Sequence, residues 1–287
     1  PSAQLNEHVV WFWLNHFNVF DRTGPEAWLD EDYVENAIRP HALGNFRDLV
    51  MATLTHPAML VYLDNARNAA AHHNENYARE LMELHTLGVN AGYTQNDVQE
   101  MVRILTGVGV ALNPRTPRLR PNQQALLIRH DGLEFNPARH DFGDKVLLGH
   151  GIRGSGFDEV RQAVDLLVAQ PACAHFISQE LATYFVADDP PAPLVDAMAQ
   201  TFQHTHGDIR SVLRTLFDAP EFAASLGKKF KDPMHYLVSS VRLAYDGRAA
   251  PDSRRLVVWL NQQGEGEFAH QTPDGYPLVA SAWDSSG

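Results

Sequence analysis

Residues 74–88, with the sequence NENYARELMELHTLG, combine side chain types that could perform acid–base chemistry. The ionisable residues are three carboxylates, one guanidinium and one imidazole: Glu75, Glu80, Glu83, Arg79 and His85. Arg79 is four residues from Glu75 and from Glu83, the spacing of ion pairs on a solvated helix face. Glu80 has no cation at that spacing. The alternatives are therefore a solvated face, or the wall of a site where Arg79, Glu80 and Glu83 are catalytic and Asn74 and Asn76 bind substrate.

The sequence RHDFGDK at residues 139–145 is a second group with possible chemistry. A histidine beside an aspartate, as at His140 and Asp141, supplies an oriented imidazole for proton transfer. A lysine such as Lys145 lowers the pKa of nearby carboxylates. Gly143 permits the positive φ that a tight loop needs. Polar turn chemistry explains the same residues, so a catalytic loop and an ordinary turn stay open as alternatives.

We predict that the 140–145 loop packs over the polar face of the 74–88 helix. Three carboxylates outnumber the one arginine, and buried carboxylates require cations and hydrogen-bond donors. His140, Lys145 and the backbone of the loop are the nearest supply in sequence. At least one of His140, Asp141 and Lys145 is therefore expected to contact these helix residues: Asn76, Arg79, Glu80 and Glu83.

Two histidines fall among apolar residues of helical patterns. His85 lies on the apolar side of the 74–88 helix, and His16 interrupts the almost wholly apolar segment at residues 5–20. A buried polar side chain requires a hydrogen-bond partner. We interpret both as core histidines, and substrate binding is the alternative role for His16.

The spacing of the His, Cys and Glu residues does not predict a metal site. No sequence motif in the chain identifies a cofactor. Glu80-x-x-Glu83 is not the Glu-x-x-His of di-iron bundles, and the chain contains no His-Glu-x-x-His. Cys173 is the only cysteine, so the chain cannot form an intrachain disulfide or a closed zinc set, and we interpret it as a small buried apolar residue. No phosphate-binding loop, no dinucleotide glycine motif after a predicted strand and no serine nucleophile elbow is found.

Composition indicates an ordinary globular protein of 287 residues, with 44% hydrophobic and 20% charged residues. The net charge of −12 argues against nucleic acid or an anionic membrane surface as the partner, because both select Lys/Arg-rich surfaces. No run of 18 apolar residues is present, so no transmembrane segment is predicted. No signal peptide is found at the start, and we interpret both ends as cuts rather than natural termini.

Hydrophobic periodicity predicts a mainly α fold, a multi-helix globular array with one short β-hairpin and an irregular central loop. Residues 1–287 are expected to form a single helical domain, with possible sub-lobes 1–120 and 157–263 joined by residues 108–156. Asp131-Gly132 marks the turn of the hairpin at 125–135. Thr94 and Asp97 match a helix capping box, Pro171 takes a favoured first-turn position, and Asp232 is a candidate cap before Pro233. Helices are predicted over these ranges: 5–20, 26–38, 45–55, 74–88, 94–107, 159–169, 171–186, 194–205, 209–217, 233–245 and 252–263.

Several strings, in order along nearly the whole chain, closely resemble the bacterial family known as domain of unknown function 1800. They are FWLNHF, MLVYLDNARN, NENYARELMELHTLGV, GYTQNDVQEMVRILTG, HDFGDKVLLG, FVADDPP, GDIRSVLRTLFDAPEF and TPDGYP. The resemblance implies an envelope or exported, periplasmic protein. It also implies a possible partner, because such proteins are often encoded beside a second uncharacterised family with sulfatase-like resemblance.

Two functions are consistent with these residues. The first is an enzyme that catalyses hydrolysis or elimination on a polyhydroxylated substrate. Its catalytic groups are the helix carboxylates and Arg79, with His140, Asp141 and Lys145 of the loop. The second is a helical binding or assembly protein, a partner of the sulfatase-like protein, in which the same motifs lock the fold. A shared open pocket favours the enzyme, and a closed network of satisfied donors favours the lock.

Overall fold

Helices form most of the computed structural model, which describes residues 2–20, 28–111, 115–246, 248 and 253–283. The first half contains α1 (Ser2–His16), α2 (Trp28–Asp32), a π-helix (Tyr33–Ile38), α3 (Phe46–Thr55), α4 (Pro57–Tyr62), a 3₁₀ turn (Asn65–Arg67), α5 (Asn76–Glu83) and α6 (Gln95–Leu105). The mainly α prediction is confirmed. The predicted start of the second helix, at residue 26, lies outside the described residues.

Local sequence signals start several of these helices. The Asn45 side chain accepts a hydrogen bond from the backbone N–H of Arg47 and caps α3. The Thr94 and Asp97 side chains form the predicted reciprocal capping box at the start of α6. The α5–α6 pair forms a helical hairpin, and the capping box fixes where its second helix starts.

The middle of the chain contains two small antiparallel sheets. The first has the strand order β1 (Val108–Val110), β3 (Leu133–Phe135), β2 (Ile128–His130), with α7 (Pro121–Gln124) before β2. Asp131 and Gly132 have φ angles of 47° and 80°, as the predicted two-residue hairpin turn requires. The second sheet, β4 (Lys145–Leu147) with β5 (His150–Ile152), lies in the region expected to be irregular. Its turn has Leu148 at a φ of 51°, a conformation that a leucine gives no reason to predict.

The second half returns to helices. These are α8 (Asp158–Val168), α9 (Pro171–Phe185), α10 (Ala192–His204), α11 (Ile209–Asp218), α12 (Pro220–Ser225), α13 (Pro233–Tyr245), α14 (Ser253–Gln262) and a 3₁₀ turn (Ala280–Ala282). Pro171 occupies the first turn of α9, and Asp232 caps α13, both as predicted. The short helices α7 and α12 were not predicted, because four to six residues carry too little periodicity.

A connected cluster of buried apolar side chains extends from α1 to α11. Trp13 of α1 is fully buried in this cluster, against Phe17 and Phe46, and donates its indole N–H to the carbonyl oxygen of Ala42. Phe12 and Trp13 of α1 are among the largest fully buried side chains, and apolar area removed from water is the main favourable term in folding. Burial on most sides of α1 agrees with its nearly continuous apolar sequence.

The segment after α14 folds back onto the end of α1. Asn15 accepts from the Tyr276 backbone N–H at 2.6 Å and donates to its carbonyl oxygen at 2.9 Å, and Asn18 donates to the carbonyl oxygens of residues 270 and 272. A Cβ on Gly275, whose φ is 69°, would lie 2.2 Å from the Asn15 carbonyl oxygen. Only glycine permits this close approach. The TPDGYP segment is therefore fixed beside FWLNHF.

Candidate functional site

The polar face of α5 forms its own ion pairs. Arg79 contacts Glu75 at 3.1 Å and Glu83 at 3.2 Å, and it also donates to the Gln95 side chain of α6 at 2.8 Å. Glu83 also accepts a hydrogen bond from Tyr93. This part of the face agrees with the solvated-face alternative, since the carboxylates are neutralised within the α5–α6 hairpin.

The two asparagines of the NEN sequence bind backbone groups. The Asn74 side chain donates to the carbonyl oxygen of Asp64, and the Asn76 side chain donates to that of Leu63. The contacts tie the start of α5 to the end of α4. The substrate-binding role of Asn74 and Asn76 stays a prediction, while these hydrogen bonds give both residues a structural role.

The HDFGDK segment enters a different and fully buried network, centred on Glu159 of α8. One carboxylate oxygen of Glu159 accepts from His140 Nε2 at 3.0 Å, and the other forms an ion pair with the Lys145 ammonium. The side chains of these three residues have no exposed surface. His140 Nδ1 lies 2.7 Å from the Thr106 carbonyl oxygen. Both ring nitrogens of His140 therefore face oxygen atoms.

Further donors complete the network around the Glu159 carboxylate. The backbone N–H groups of Ser155 and Gly156 donate to it at 2.6 and 2.8 Å. Burial opposes ionisation of Glu159, but the hydrogen bonds from His140, Lys145 and Gly156 hold its pKa below the ordinary value. Each polar group here has a partner and the side chains are closed to solvent, which is the arrangement expected of a structural lock.

The predicted contact between the two motifs is wrong. Within the described residues, no hydrogen bond or ion pair joins Asn76, Arg79, Glu80 or Glu83 to His140, Asp141 or Lys145. Helix α6 packs against α5 and also against β4, so it separates the two groups. Its Arg103 contacts Asp141 at 2.8 Å, and its Glu100 and Asp97 accept from the backbone N–H groups of residues 146 and 148. The carboxylate that satisfies Lys145 comes from Glu159, which the sequence argument overlooked.

His16 lies in the core, as we interpreted it, and it also borders a small cavity. His16 is 7% exposed, and its Nε2 lies 3.1 Å from the carbonyl oxygen of His85, so Nε2 donates there. Burial lowers the pKa of His16 to about 4, and burial together with His16 lowers that of His85 to about 3. Both rings are therefore neutral at physiological pH. The cavity has a volume of about 200 Å³.

Two carboxylates near this cavity have no hydrogen bond or ion pair within the described residues. Glu180 of α9 lines the cavity, and burial raises its pKa to about 7. Burial also raises the pKa of Glu80. The neighbouring Glu83 carboxylate is the second cause, and Asp274 of the TPDGYP segment contributes less. Among the described residues, Glu80 forms no hydrogen bond or ion pair with the 140–145 loop. The catalytic role of Glu80 stays a prediction.

A larger cleft, of about 970 Å³, lies between α1 and α13, and we refer to it as the α1–α13 cleft. His235, in the first turn of α13, borders it. Both oxygens of the Asp232 carboxylate lie 2.7 Å from His235 Nδ1. His235 Nε2 lies 2.9 Å from the Tyr184 hydroxyl and 3.1 Å from His8 Nδ1. Because Asp232 binds the Nδ1 proton, Nε2 is the acceptor nitrogen of the ring. The Tyr184 hydroxyl that faces it also lies 3.2 Å from the carbonyl oxygen of His8.

A second carboxyl group stands behind this pair. Glu265 is buried and accepts from the Met234 backbone N–H at 2.7 Å. Burial, and then the neighbouring Asp232 carboxylate, raises the pKa of Glu265 to about 8. Glu265 is therefore protonated at neutral pH and shares a hydrogen bond with Asp232. Burial likewise raises the pKa of Tyr184, so its hydroxyl stays protonated, and burial and His235 lower that of His8.

The remaining walls of the cleft combine apolar surface with positive charge. The apolar side chains include Trp11, Phe185, Phe230, Val238 and Trp283. Lys231 donates to the Ser239 hydroxyl at 2.9 Å, and neither Lys231 nor Arg242 has a carboxylate partner within the described residues. A large apolar cleft with a few convergent polar groups is the usual form of a ligand site. The unpaired cations favour an anionic group on the ligand.

The sequence argument did not find this cleft. Asp232 was identified only as the cap of α13, and His235 follows it by three residues in the first helical turn. That spacing alone places both side chains at one helix start, which is the signal that sequence could have given. The approach of His8, Tyr184 and Glu265 depends on contacts between distant elements.

Among the described residues, no three His, Cys, Asp or Glu side chains come together as candidate metal ligands, and no helix is long and apolar enough to cross a membrane. A family model described as "Protein of unknown function (DUF1800)" matches residues 1–287, the whole chain. Searches of curated proteins and of solved structures found no match.

Proposed function

Because the chain belongs to the DUF1800 family of proteins of unknown function, we propose its activity from geometry: an acid–base enzyme, a lyase or hydrolase, acting in the α1–α13 cleft. One observation carries the proposal. His235 is oriented by Asp232 on one ring nitrogen and presents the other to the Tyr184 hydroxyl at 2.9 Å, beside a cleft of about 970 Å³. A base oriented by a carboxylate and next to a proton donor is the minimum set for proton transfer.

Elimination from a polyhydroxylated carboxylate, such as a hexuronate oligosaccharide, fits the charges best. Lys231 and Arg242 bind the substrate carboxylate and make the neighbouring C–H bond more acidic. His235 Nε2 takes that proton, the C–H electron pair forms a C=C bond, and the C–O bond to the leaving sugar breaks. Tyr184 donates its proton to the leaving oxygen.

The hydrogen bond between His235 and Tyr184 restores the starting state. After the reaction, Nε2 holds a proton and the Tyr184 oxygen lacks one. Proton transfer over the 2.9 Å contact returns both to their original forms. Asp232 stabilises the protonated ring during the cycle, and the protonated Glu265 behind it holds Asp232 in place by a hydrogen bond. In a hydrolase, the same base would instead activate water.

A hexuronate oligosaccharide assay tests this proposal. Elimination creates a conjugated C=C bond with ultraviolet absorbance, whereas hydrolysis releases new reducing ends without it. We expect His235→Asn and Tyr184→Phe each to lower the rate by about 10²–10⁴-fold, with melting temperature retained. His204→Asn, at an exposed histidine, is the matched control. The enzymatic role would be refuted if the unaltered protein formed no product of either kind. Full activity in His235→Asn would also refute it.

A second function, binding to a partner protein, is supported by exposed apolar side chains on α13 and α14. They include Leu243 at 86% exposure, with Tyr236, Val257, Val258 and Trp259 each near half. Such surface is common at protein interfaces. We propose the sulfatase-like protein as the partner and a periplasmic or exported location, both from the family resemblance. We expect the sulfatase-like protein to co-purify with the unaltered chain and with Asp196→Asn, but not with Val258→Asp. Equal co-purification of both variants would contradict this interface.

A further inference from the structure

The small cavity beside His16 has features that neither the lyase proposal nor the partner surface uses. Residues of α1, α9 and the segment after α14 line it, and the FWLNHF and TPDGYP strings meet there. Its volume of about 200 Å³ suits a ligand slightly larger than benzene, which fills an apolar cavity of about 150 Å³. The cavity therefore has room for a small molecule but not for a polymer.

The side chains that line the cavity include acidic residues but no basic ones among those described. Glu180 and Asp274 line the cavity, and none of the described lining residues is a lysine or arginine. Asp274 is already bound to His270 and to the Thr272 hydroxyl, and it is mostly exposed, so it stands at the mouth. Glu180 has no hydrogen bond or ion pair within the described residues. The Glu180 carboxylate is therefore available to a ligand that supplies positive charge.

Aromatic rings form the other walls. Phe12, Phe176 and Tyr276 line the cavity. The rings of Phe12 and Phe176 lie 6.1 and 6.0 Å from the neutral ring of His16, so these three rings are neighbours on the same wall. Aromatic faces attract cations through their quadrupoles, and quaternary ammonium groups are the ligands that such cages bind.

We propose that this cavity binds a small quaternary ammonium compound, with Glu180 as the counter-ion and Phe12, Phe176 and Tyr276 as the aromatic cage. A quaternary ammonium needs no hydrogen-bond acceptors, and its methyl groups pack against the rings. A metal ion is disfavoured, because the described residues provide no group of three ligands. Glu180 ionises near neutral pH, and the affinity should therefore rise between pH 6 and pH 8 as its charge develops. The other titratable groups that line the cavity are Asp274, His16 of α1, which stays neutral in this range, and Tyr276, whose pKa burial raises.

Isothermal titration calorimetry of the whole protein at pH 8 tests the proposal without any turnover, so its outcome is independent of the lyase assay. The probe is choline, and the matched ligand is 3,3-dimethylbutan-1-ol, which has the same shape without the charge. We expect one choline site per chain and at least tenfold weaker binding of the neutral alcohol. Glu180→Gln should weaken choline binding at least tenfold, whereas Asp196→Asn, at an exposed carboxylate of α10, should not change it.

Three results would overturn the proposal. They are no choline binding, equal binding of the neutral alcohol, and unchanged choline affinity in a folded Glu180→Gln variant. In the first case, binding of Mn²⁺ that depends on Glu180 would identify a metal site instead. A thermal melt confirms that each variant is folded. Phe176→Leu provides the independent variant: it keeps the charge, removes one ring, and should weaken choline binding several-fold.

Discussion

Lys145→Met is the sharpest test of the buried network around Glu159. The substitution keeps an unbranched apolar stem and removes the ammonium from a carboxylate with no exposed surface. Breaking a buried ion pair from one side costs about 3–5 kcal/mol. Glu159 retains His140 and two backbone N–H donors. We therefore expect the lower end of that range, about 3 kcal/mol of unfolding free energy.

Urea denaturation followed by circular dichroism and tryptophan fluorescence measures this loss. Lys228→Met is the matched control, because Lys228 is exposed, and a surface substitution of this kind changes stability by about 0.5 kcal/mol or less. The double variant Glu159→Gln/Lys145→Met should lose less than the sum of the two single losses, since it removes both charges together. A loss under about 1 kcal/mol in Lys145→Met, or strict additivity, would refute the lock.

The same assay separates the roles predicted for the two motifs. His140→Asn should cost about 2 kcal/mol or more, because it leaves part of the Glu159 carboxylate and the Thr106 carbonyl oxygen unsatisfied. Glu80→Gln should be nearly neutral or slightly stabilising, since burial already raises the Glu80 pKa. If His140→Asn retained full stability but abolished an activity, His140 would be catalytic as the sequence suggested.

Three further predictions concern pH and the C-terminal segment. Hydrogen bonding to Arg103 lowers the pKa of Asp141 to about 2. The unfolding free energy should therefore fall by about 2 kcal/mol as the pH drops from 5 to 2. Arg103→Met should reduce this pH dependence, measured by urea titration at each pH. The raised pKa of Glu180, about 7 against an ordinary 4.5, has the opposite sign: stability falls as pH rises between those values. Glu180→Gln should therefore gain about 3 kcal/mol of unfolding free energy over the unaltered protein at pH 8 and almost nothing at pH 4. Gly275→Ala should detach the segment after α14 from Asn15, because Gly275 has a φ of 69° and an added Cβ would clash with the Asn15 backbone. We expect faster proteolysis after residue 262, with α1–α11 intact. An unchanged cleavage rate would contradict this.

Local signals explain why much of the fold was predictable. The spacing of apolar residues placed most helices within a few residues, and the caps at Thr94 and Asp232 and the turn at Asp131-Gly132 were correct. Each of these depends on residues within one turn of helix or one hairpin. The β4–β5 hairpin was missed because its turn uses Leu148 at positive φ, a conformation held by the structure around it rather than by leucine's own preference.

The candidate site shows where sequence stops being sufficient. The sequence by itself determined which residues are ionisable, that α1 is buried and that Arg79 has ion-pair spacing to Glu75 and Glu83. It also favoured a core position for His16. Only the tertiary structure decided the partners over longer distances: Glu159 for Lys145 and His140, α6 between the two motifs, and Asp232, His235, His8 and Tyr184 around one cleft. The physical reason is that helical periodicity fixes which face is buried, whereas a buried charge is satisfied by whichever complementary group packing brings within about 3 Å. Residues 8, 184 and 235 meet because α1, α9 and α13 pack together, and no spacing in the chain encodes that contact.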